Sequence, residues 1–219
     1  SSGLIHEIKN PLNWSKGSLI IALKESSNSS QSDLLEDSLK GIEKIEEIVK
    51  GLNWFAKAQP LALKPTCLRE LLDRTLELAK SQCLGITIEN SVDDEFEVMA
   101  SETHLAQVII NLLSNSIKAI EKTSDNRQGQ IQISACVGGG ISAEDDKLMK
   151  LSWHDNGVGM DKAQLEKLFD PFYTTSDVND GIGLGMSITK QIIEKHQGQI
   201  EALSDNYNWA QVNIYLNMS

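Results

Sequence analysis

The chain has 219 residues, room for one moderate domain and a smaller one, and its apolar fraction of 40% is ordinary for a folded globular protein. A net charge of −11 opposes direct binding to nucleic acid or to an anionic membrane surface. The three cysteines, Cys67, Cys83 and Cys136, are widely spaced and lack zinc-ligand spacing, so they read as reduced thiols, which fits the cytoplasm.

No apolar run is long enough to span a bilayer, and no signal peptide opens the chain. The first residues already read as helix, which suggests a fragment of a longer protein. Residues 3–25 keep Ile5, Ile8, Leu12, Leu19 and Leu23 on one stripe, and Pro11 is expected to kink that helix or end its first segment. The serine-rich run 26–32 reads as a loop. Asp33 is a candidate N-cap for a second helix reaching about residue 58. There Leu35, Ile42, Val49 and Ala56 recur every seven residues, with Ile45 and Leu52 three positions on. That is a heptad seam, widened by Leu39, Ile48 and Phe55. Two arrangements cover so wide a stripe: pairing with a second copy into a four-helix bundle, or packing on the chain's own downstream domain.

Pro60 and Pro65 end the helical region, giving domains at 1–58 and 67–219 joined by a linker at 59–66. Beyond it, helices are expected at 69–81, 103–122, 161–168 and 185–196. Strands are expected at 86–90, 130–137, 148–154, 199–204 and 210–216. Gly138-Gly139-Gly140 followed by Glu144-Asp145-Asp146 reads as a loop between two strands. This order predicts an α/β sandwich, one mixed sheet covered by helices on one face.

Five segments bear chemistry. In His6-Glu7-Ile8-Lys9-Asn10-Pro11, His6 and Asn10 share a helix face. A carboxylate such as Glu7 on Nδ1 would leave Nε2 as the nucleophile. Gln107, Asn111, Asn115 and Lys118 form a stripe on an otherwise apolar helix. Two asparagines one turn apart offer neutral oxygens to a hard cation such as Mg²⁺, and Lys118 can meet a phosphate. Asp155-Asn156-Gly157-Val158-Gly159 follows a strand; the aspartate can accept from an exocyclic amine, and the glycines let backbone approach a flat ligand. Leu168-Phe169-Asp170-Pro171-Phe172-Tyr173-Thr174-Thr175 carries aromatics suited to anchoring a lid, or equally to core packing. Gly181-Ile182-Gly183-Leu184-Gly185 precedes a helix, where alternating glycines can wrap phosphates with N–H groups. It is neither a dinucleotide fingerprint nor a Walker A loop, and the Ser/Thr/Tyr-kinase signatures are absent.

Taken in order, these segments resemble the phosphoacceptor, asparagine, Asp-x-Gly-x-Gly, phenylalanine and Gly-x-Gly-x-Gly boxes of sensor histidine kinases of two-component signalling. The resemblance covers essentially the whole chain. It implies an α+β protein: a helical hairpin forming a dimeric four-helix bundle, then an α/β sandwich of the Bergerat type. It implies ATP and Mg²⁺ as cofactors and autophosphorylation of His6, with Glu7 as acid/base partner. Asn10 matches a position that orients water for dephosphorylating the partner. Asn111 and Asn115 match the Mg²⁺-site asparagines, Lys118 a nucleotide contact and Asp155 the adenine-reading aspartate. Gly157, Gly159, Gly181, Gly183 and Gly185 match the nucleotide-loop glycines, and Thr174, Thr175 and Leu184 fall at the same nucleotide site. The implied partners are a response-regulator receiver domain and a second copy of the chain, with no nucleic acid and no direct membrane contact. The implied place is the cytoplasmic portion of a membrane-anchored bacterial sensor. Rival readings are a core acting mainly as phosphatase of its partner, and a catalytically weak ATP-binding scaffold.

The departures from the family pattern are specific. Only five residues precede His6, so much of the first dimerisation helix is missing. No Lys or Arg lies between Tyr173 and Gly183, and Ser176 stands where many relatives carry Lys. His196-Gln197-Gly198 stands where relatives often read His-Gly-Gly, and His196, His104 and His154 are expected to be structural.

Overall fold

A computed structural model describes residues 2–25, 31–36, 38–39, 41–42, 45, 49, 61–83, 85–123, 127–138, 148–175 and 183–219. The chain divides into two compact units: residues 1–59 with 171–184, and residues 60–170 with 185–219.

In the first unit, helix α1 spans Ser2–Glu25. It runs unbroken through Pro11, so of the two expected effects, a kink or an end, the end does not occur. Proline removes one ladder bond, to the carbonyl four residues back, and does not forbid helical dihedrals on either side. A second helix, α2, is described at 31–36, 38–39, 41–42, 45 and 49. It is already helical at Gln31, two residues before the expected cap at Asp33, and the rest of the 33–58 expectation lies outside the described residues. Val49 is buried, whereas Leu34 and Ile45 are exposed.

The second unit is built on a five-stranded sheet of order β2-β4-β5-β7-β6. Its strands are β2 (Ile86–Asn90), β4 (Gly129–Val137), β5 (Leu148–Asp155), β6 (Gln199–Ser204) and β7 (Ala210–Asn217). β2 and β4 are parallel and the other pairs antiparallel, so the sheet is mixed as expected. Two short strands, β1 (Lys64–Cys67) and β3 (Glu97–Ala100), pair separately. Neither was expected; residues 64–66 of β1 fall in the stretch read as linker.

Alternation decides which face is buried. Ile131 and Ile133 on β4, Met149, Leu151 and Trp153 on β5, and Val212, Ile214 and Leu216 on β7 are all buried. Helices α3 (Leu68–Leu78), α4 (Glu102–Glu121) and α6 (Gly185–Lys195) supply the rest of the core. α3 buries Leu68, Leu71, Leu72 and Thr75 at helical spacing. α4 buries Leu105, Val108, Ile109, Leu112, Leu113, Ser116, Ile117 and Ile120 and packs against α3 and α6. The short α5 (Lys162–Lys167) starts at a capping box: Asp161 accepts from the Gln164 N–H, and the Gln164 side chain accepts from the Asp161 N–H. Among the described residues no helix is long and apolar enough to cross a membrane.

Candidate functional site

The last residue of β5, Asp155, lies on the helix-covered face with Trp153 and is buried. A lone buried carboxylate is costly, so its partners matter. Ser116 Oγ on α4 donates to Asp155 Oδ2 at 2.8 Å, and the Gly157 N–H donates to Oδ1 at 3.0 Å. Trp153 Nε1 donates to the same Ser116 Oγ at 3.0 Å. Burial pushes the Asp155 carboxyl up from its ordinary value, and the Ser116 and Gly157 bonds pull it part of the way back. Each carboxylate oxygen keeps a further lone pair for an incoming donor.

The turn after Asp155 runs hard against α4. A Cβ on Gly157 would lie 2.5 Å from Ala119 Cβ, and the Val158 N–H donates to the Ala119 carbonyl at 3.1 Å. Only glycine allows this approach. Asn156 acts as a strand extension: its Nδ2 donates to the Gln128 carbonyl at 2.8 Å and its Oδ1 accepts from the Gln130 N–H at 2.7 Å.

The asparagine stripe divides into two roles. Asn111 Nδ2 donates to the Gly185 carbonyl at 3.0 Å and to Thr189 Oγ1 at 3.2 Å, tying α4 to the first turn of α6. Its Oδ1 accepts from Gln107 Nε2 at 2.9 Å. One turn on, Asn115 is exposed, and Lys118 is half-buried. Asp155, Gly157, Asn111 and Gly185 thus converge through α4.

Thr174 and Thr175 are exposed; Gly183 and Leu184 precede α6, and Leu184 is buried. The Gly183 carbonyl accepts from the Phe172 N–H at 3.0 Å. Gly181 lies outside the described residues. His6, Glu7 and Asn10 lie on α1, with only their backbone described. The core-packing alternative for the aromatics is not seen: Phe172 is 55% exposed, and half-buried Phe169 lies under Lys190 Nζ at 5.7 Å.

His196, His104 and His154 are held in structural contacts, as expected of these three. His196 is buried; its Nε2 accepts from the Ser101 N–H at 3.0 Å and its Nδ1 donates to the Ile192 carbonyl at 2.7 Å. His104 Nδ1 bonds Ser101 Oγ at 2.7 Å, and His154 stacks on Trp209 with centroids 5.6 Å apart.

Ser116 was missed from sequence. Its signal was available: Leu112, Ser116 and Ile120 share the buried face of α4, and a small hydroxyl there asks for a buried partner.

Residues 100–219 match the family described as histidine kinase-, DNA gyrase B-, and HSP90-like ATPase. The chain belongs to that family. Its α/β sandwich is therefore of the Bergerat type. The likeness to sensor histidine kinases runs well beyond this segment. The signal transduction histidine-protein kinase AtoS of Escherichia coli (strain K12) is 29% identical over 93% of the chain, which spans 32% of AtoS. The sensory histidine kinase/phosphatase NtrB of Rhizobium leguminosarum bv. phaseoli is 31% identical over 94% of the chain, which spans 55% of NtrB. The chain thus covers only about a third to a half of these relatives. Among solved structures, full-length ShkA in complex with AMPPNP covers all of this chain and 45% of its own length, at TM-score 0.78 and 23% identity. That likeness is one of fold.

Proposed function

We propose that this chain is the phosphotransfer and catalytic core of a sensor histidine kinase, taking the γ-phosphoryl group of Mg-ATP onto His6. The observation that carries the ATP half is Asp155: a buried carboxylate, hydrogen-bonded by Ser116 and Gly157, beside a turn that only glycine can thread past α4. Such a group suits the exocyclic amine of adenine. The His6-Glu7-x-x-Asn10-Pro11 pattern on α1 and the kinship with AtoS and NtrB support the phosphotransfer half.

The residues present fit both cofactors. Asp155 has acceptor capacity left for adenine. Exposed Asn115 and, beside it, Asn111 offer the neutral oxygens that Mg²⁺ accepts. When bound, Mg²⁺ supplies positive charge at the transferring phosphoryl group. Lys118 contributes a second positive group. By their match to the family's boxes, Gly181, Gly183 and Gly185, with Thr174, Thr175 and Leu184, are assigned to the triphosphate. Glu7 would hold the Nδ1–H of His6, so that Nε2 attacks the γ-phosphorus, and would take that proton as the ring is phosphorylated. The N–P bond forms as the bond to the β–γ bridging oxygen breaks, and ADP leaves. The phosphoramidate then passes to a receiver-domain aspartate. Incubation with radiolabelled ATP should give acid-labile, base-stable label that vanishes in His6→Gln. Label that persists undiminished in that variant refutes the assignment.

A second activity, dephosphorylation of the phosphorylated receiver, is favoured by one observation. Asn10 lies one turn beyond His6, where it can orient water, and the relative NtrB is named a kinase/phosphatase. The heptad seam of α2 suits a homodimeric four-helix bundle, and in the intact protein the core would lie on the cytoplasmic side of a membrane-anchored sensor.

A further inference from the structure

The turn that carries Gly157 and Gly159 touches a second element opposite α4, and that element belongs to none of the five boxes. Gly159 has φ +68°, and a Cβ there would lie 3.0 Å from Ser204 Oγ, 3.0 Å from the Tyr207 nitrogen and 3.1 Å from the Trp209 carbonyl. The turn is therefore pressed onto the connection between β6 and β7.

Ser204, the last residue of β6, makes the joint. Its Oγ accepts from the Met160 N–H at 2.7 Å and from the Asn206 N–H at 3.4 Å, and donates to the Trp209 carbonyl at 2.6 Å. A hydroxyl has one donor proton and two acceptor positions, so all are used. The β6–β7 connection is itself held by charge. Asp205 Oδ1 accepts from the N–H groups of Tyr207, Asn208 and Trp209 at 3.1, 2.8 and 3.2 Å. On the carbonyl side, the Arg127 guanidinium reaches the oxygens of Tyr207 at 3.4 Å and Asn208 at 3.3 Å. The same guanidinium reaches the Gly157 carbonyl at 3.5 Å, so it joins the two turns. The peptide groups of 207 and 208 lie between an anion and a cation, and the rigid platform so made carries the nucleotide turn.

We propose that Ser204 and Arg127 are positioning residues for adenine recognition: they fix the 157–160 turn, and through the Gly157 N–H they fix the Asp155 carboxylate that reads the base. This rests on the adenine reading of Asp155 given above. Neither residue touches the base. Their effect is on how sharply the site distinguishes a purine bearing an exocyclic amine from one lacking it. A hydrogen-bond acceptor confers selectivity only when it is held in place.

The test is calorimetric titration of the full chain with ATP and with purine riboside triphosphate, which lacks the 6-amino group. Wild type should prefer ATP by about tenfold, the worth of one well-placed hydrogen bond to a charged acceptor. Ser204→Ala and Arg127→Ala should each cut that preference to about two- to threefold, with affinity for the amine-less analogue changed by less than about twofold. Arg127→Lys, which keeps a cation but loses the fork, should fall between. A lowered melting temperature with the preference intact in both alanine variants would make these residues merely structural and overturn the proposal. If Ser204→Ala does not fold, Arg127→Ala decides alone by the same criterion. A preference that survives in Asp155→Ala is a different failure. It removes the adenine reading of Asp155 itself, and the clamp with it.

Discussion

Ser116 stands between Trp153 and Asp155, accepting from one at 3.0 Å and donating to the other at 2.8 Å. One hydroxyl on α4 thus serves both the fully buried core tryptophan and the buried carboxylate. Ser116→Ala would orphan the indole N–H and strip Asp155 of a donor. A stability loss of about 1–3 kcal/mol is expected in denaturant titration, with weaker ATP binding in calorimetry. Asp155→Asn should behave differently. The folded state holds this carboxyl above its ordinary value because burial outweighs its hydrogen bonds. Its ionisation therefore erodes stability as pH rises from the unfolded value through the folded one. At neutral pH Asp155→Asn should be as stable as wild type or more so, while ATP affinity falls. Wild-type affinity in that variant would contradict the adenine assignment.

Asn111 and Asn115 were read from sequence as an equivalent pair, and their surroundings separate them. Asn111 ties α4 to α6; Asn115 is exposed. Asn111→Asp puts an oxygen where Nδ2 now faces the Gly185 carbonyl. It should lower the melting temperature as well as abolish labelling of His6. Asn115→Ala should strongly reduce labelling at unchanged melting temperature, and the labelling that remains should require higher Mg²⁺. Equal destabilisation by both variants would show that the distinction is wrong.

His196 is locked in one tautomer by its partners, because the Ser101 N–H can only donate and the Ile192 carbonyl can only accept. Protonation would set an imidazolium N–H against a backbone N–H. Burial is the main cause holding His196 below its ordinary value of 6.5, and His104 is lowered by burial and by the neighbouring His196 and Lys195 charges. A depressed histidine lets the unfolded chain bind protons first. Stability is therefore complete above about pH 6.5 and falls as pH drops below it. Denaturant midpoints measured between pH 7.5 and 5.5 should decline in wild type and decline less steeply in His196→Gln, where His104 alone remains depressed. That variant should also be less stable at neutral pH.

Gln197 stands where relatives often carry glycine, and the geometry shows what the glycine is for. α6 ends in a Schellman motif: the Gly198 N–H bonds the Ile193 carbonyl and the Gln197 N–H bonds the Glu194 carbonyl, both at 2.9 Å. Gln197 takes φ 59°, the left-handed region. Gln197→Gly should raise stability by about 1 kcal/mol and leave His6 labelling unchanged.

Leu34 and Ile45 are 67% and 45% exposed on α2. Ile45→Glu should therefore fold normally as a monomer, yet it would place a charge in the proposed seam. Sedimentation across a concentration series should show a concentration-dependent wild-type dimer and a monomeric variant. A dimer indifferent to Ile45→Glu would place the interface elsewhere.

Elements with long, clean periods were legible. β6 matches its expected range of 199–204 at both ends, and α4 differs from its expected range by one residue at each end. β1 and β3 were not, because four residues hold only two positions per face, too few to show a period, and Pro65 in β1 argues against a strand. α1 runs through Pro11 because a single proline is a local penalty rather than a stop. At the site, the residues proposed to touch a ligand follow recognisable motifs. Ser116, Ser204, Arg127 and Asn156 act on backbone or on other side chains across tens of residues of sequence, and no local pattern announces such pairings.

The family-matched stretch begins at Ala100, yet the core under the sheet draws on residues before it. Leu68, Leu72, Val92 and Val98 are at most 1% exposed, and the parallel edge of the sheet needs β2 beside β4. A fragment cut at the edge of the shared signature would leave α4 without α3 and β4 without its outer neighbour. It would retain Asn111, Asp155 and Gly185 but expose apolar surface and an unpaired strand edge, the conditions for association between chains. The heritable signature is therefore smaller than the cooperative unit. Domain exchange within this ATPase family would succeed with junctions before β1 and fail with junctions at the start of α4.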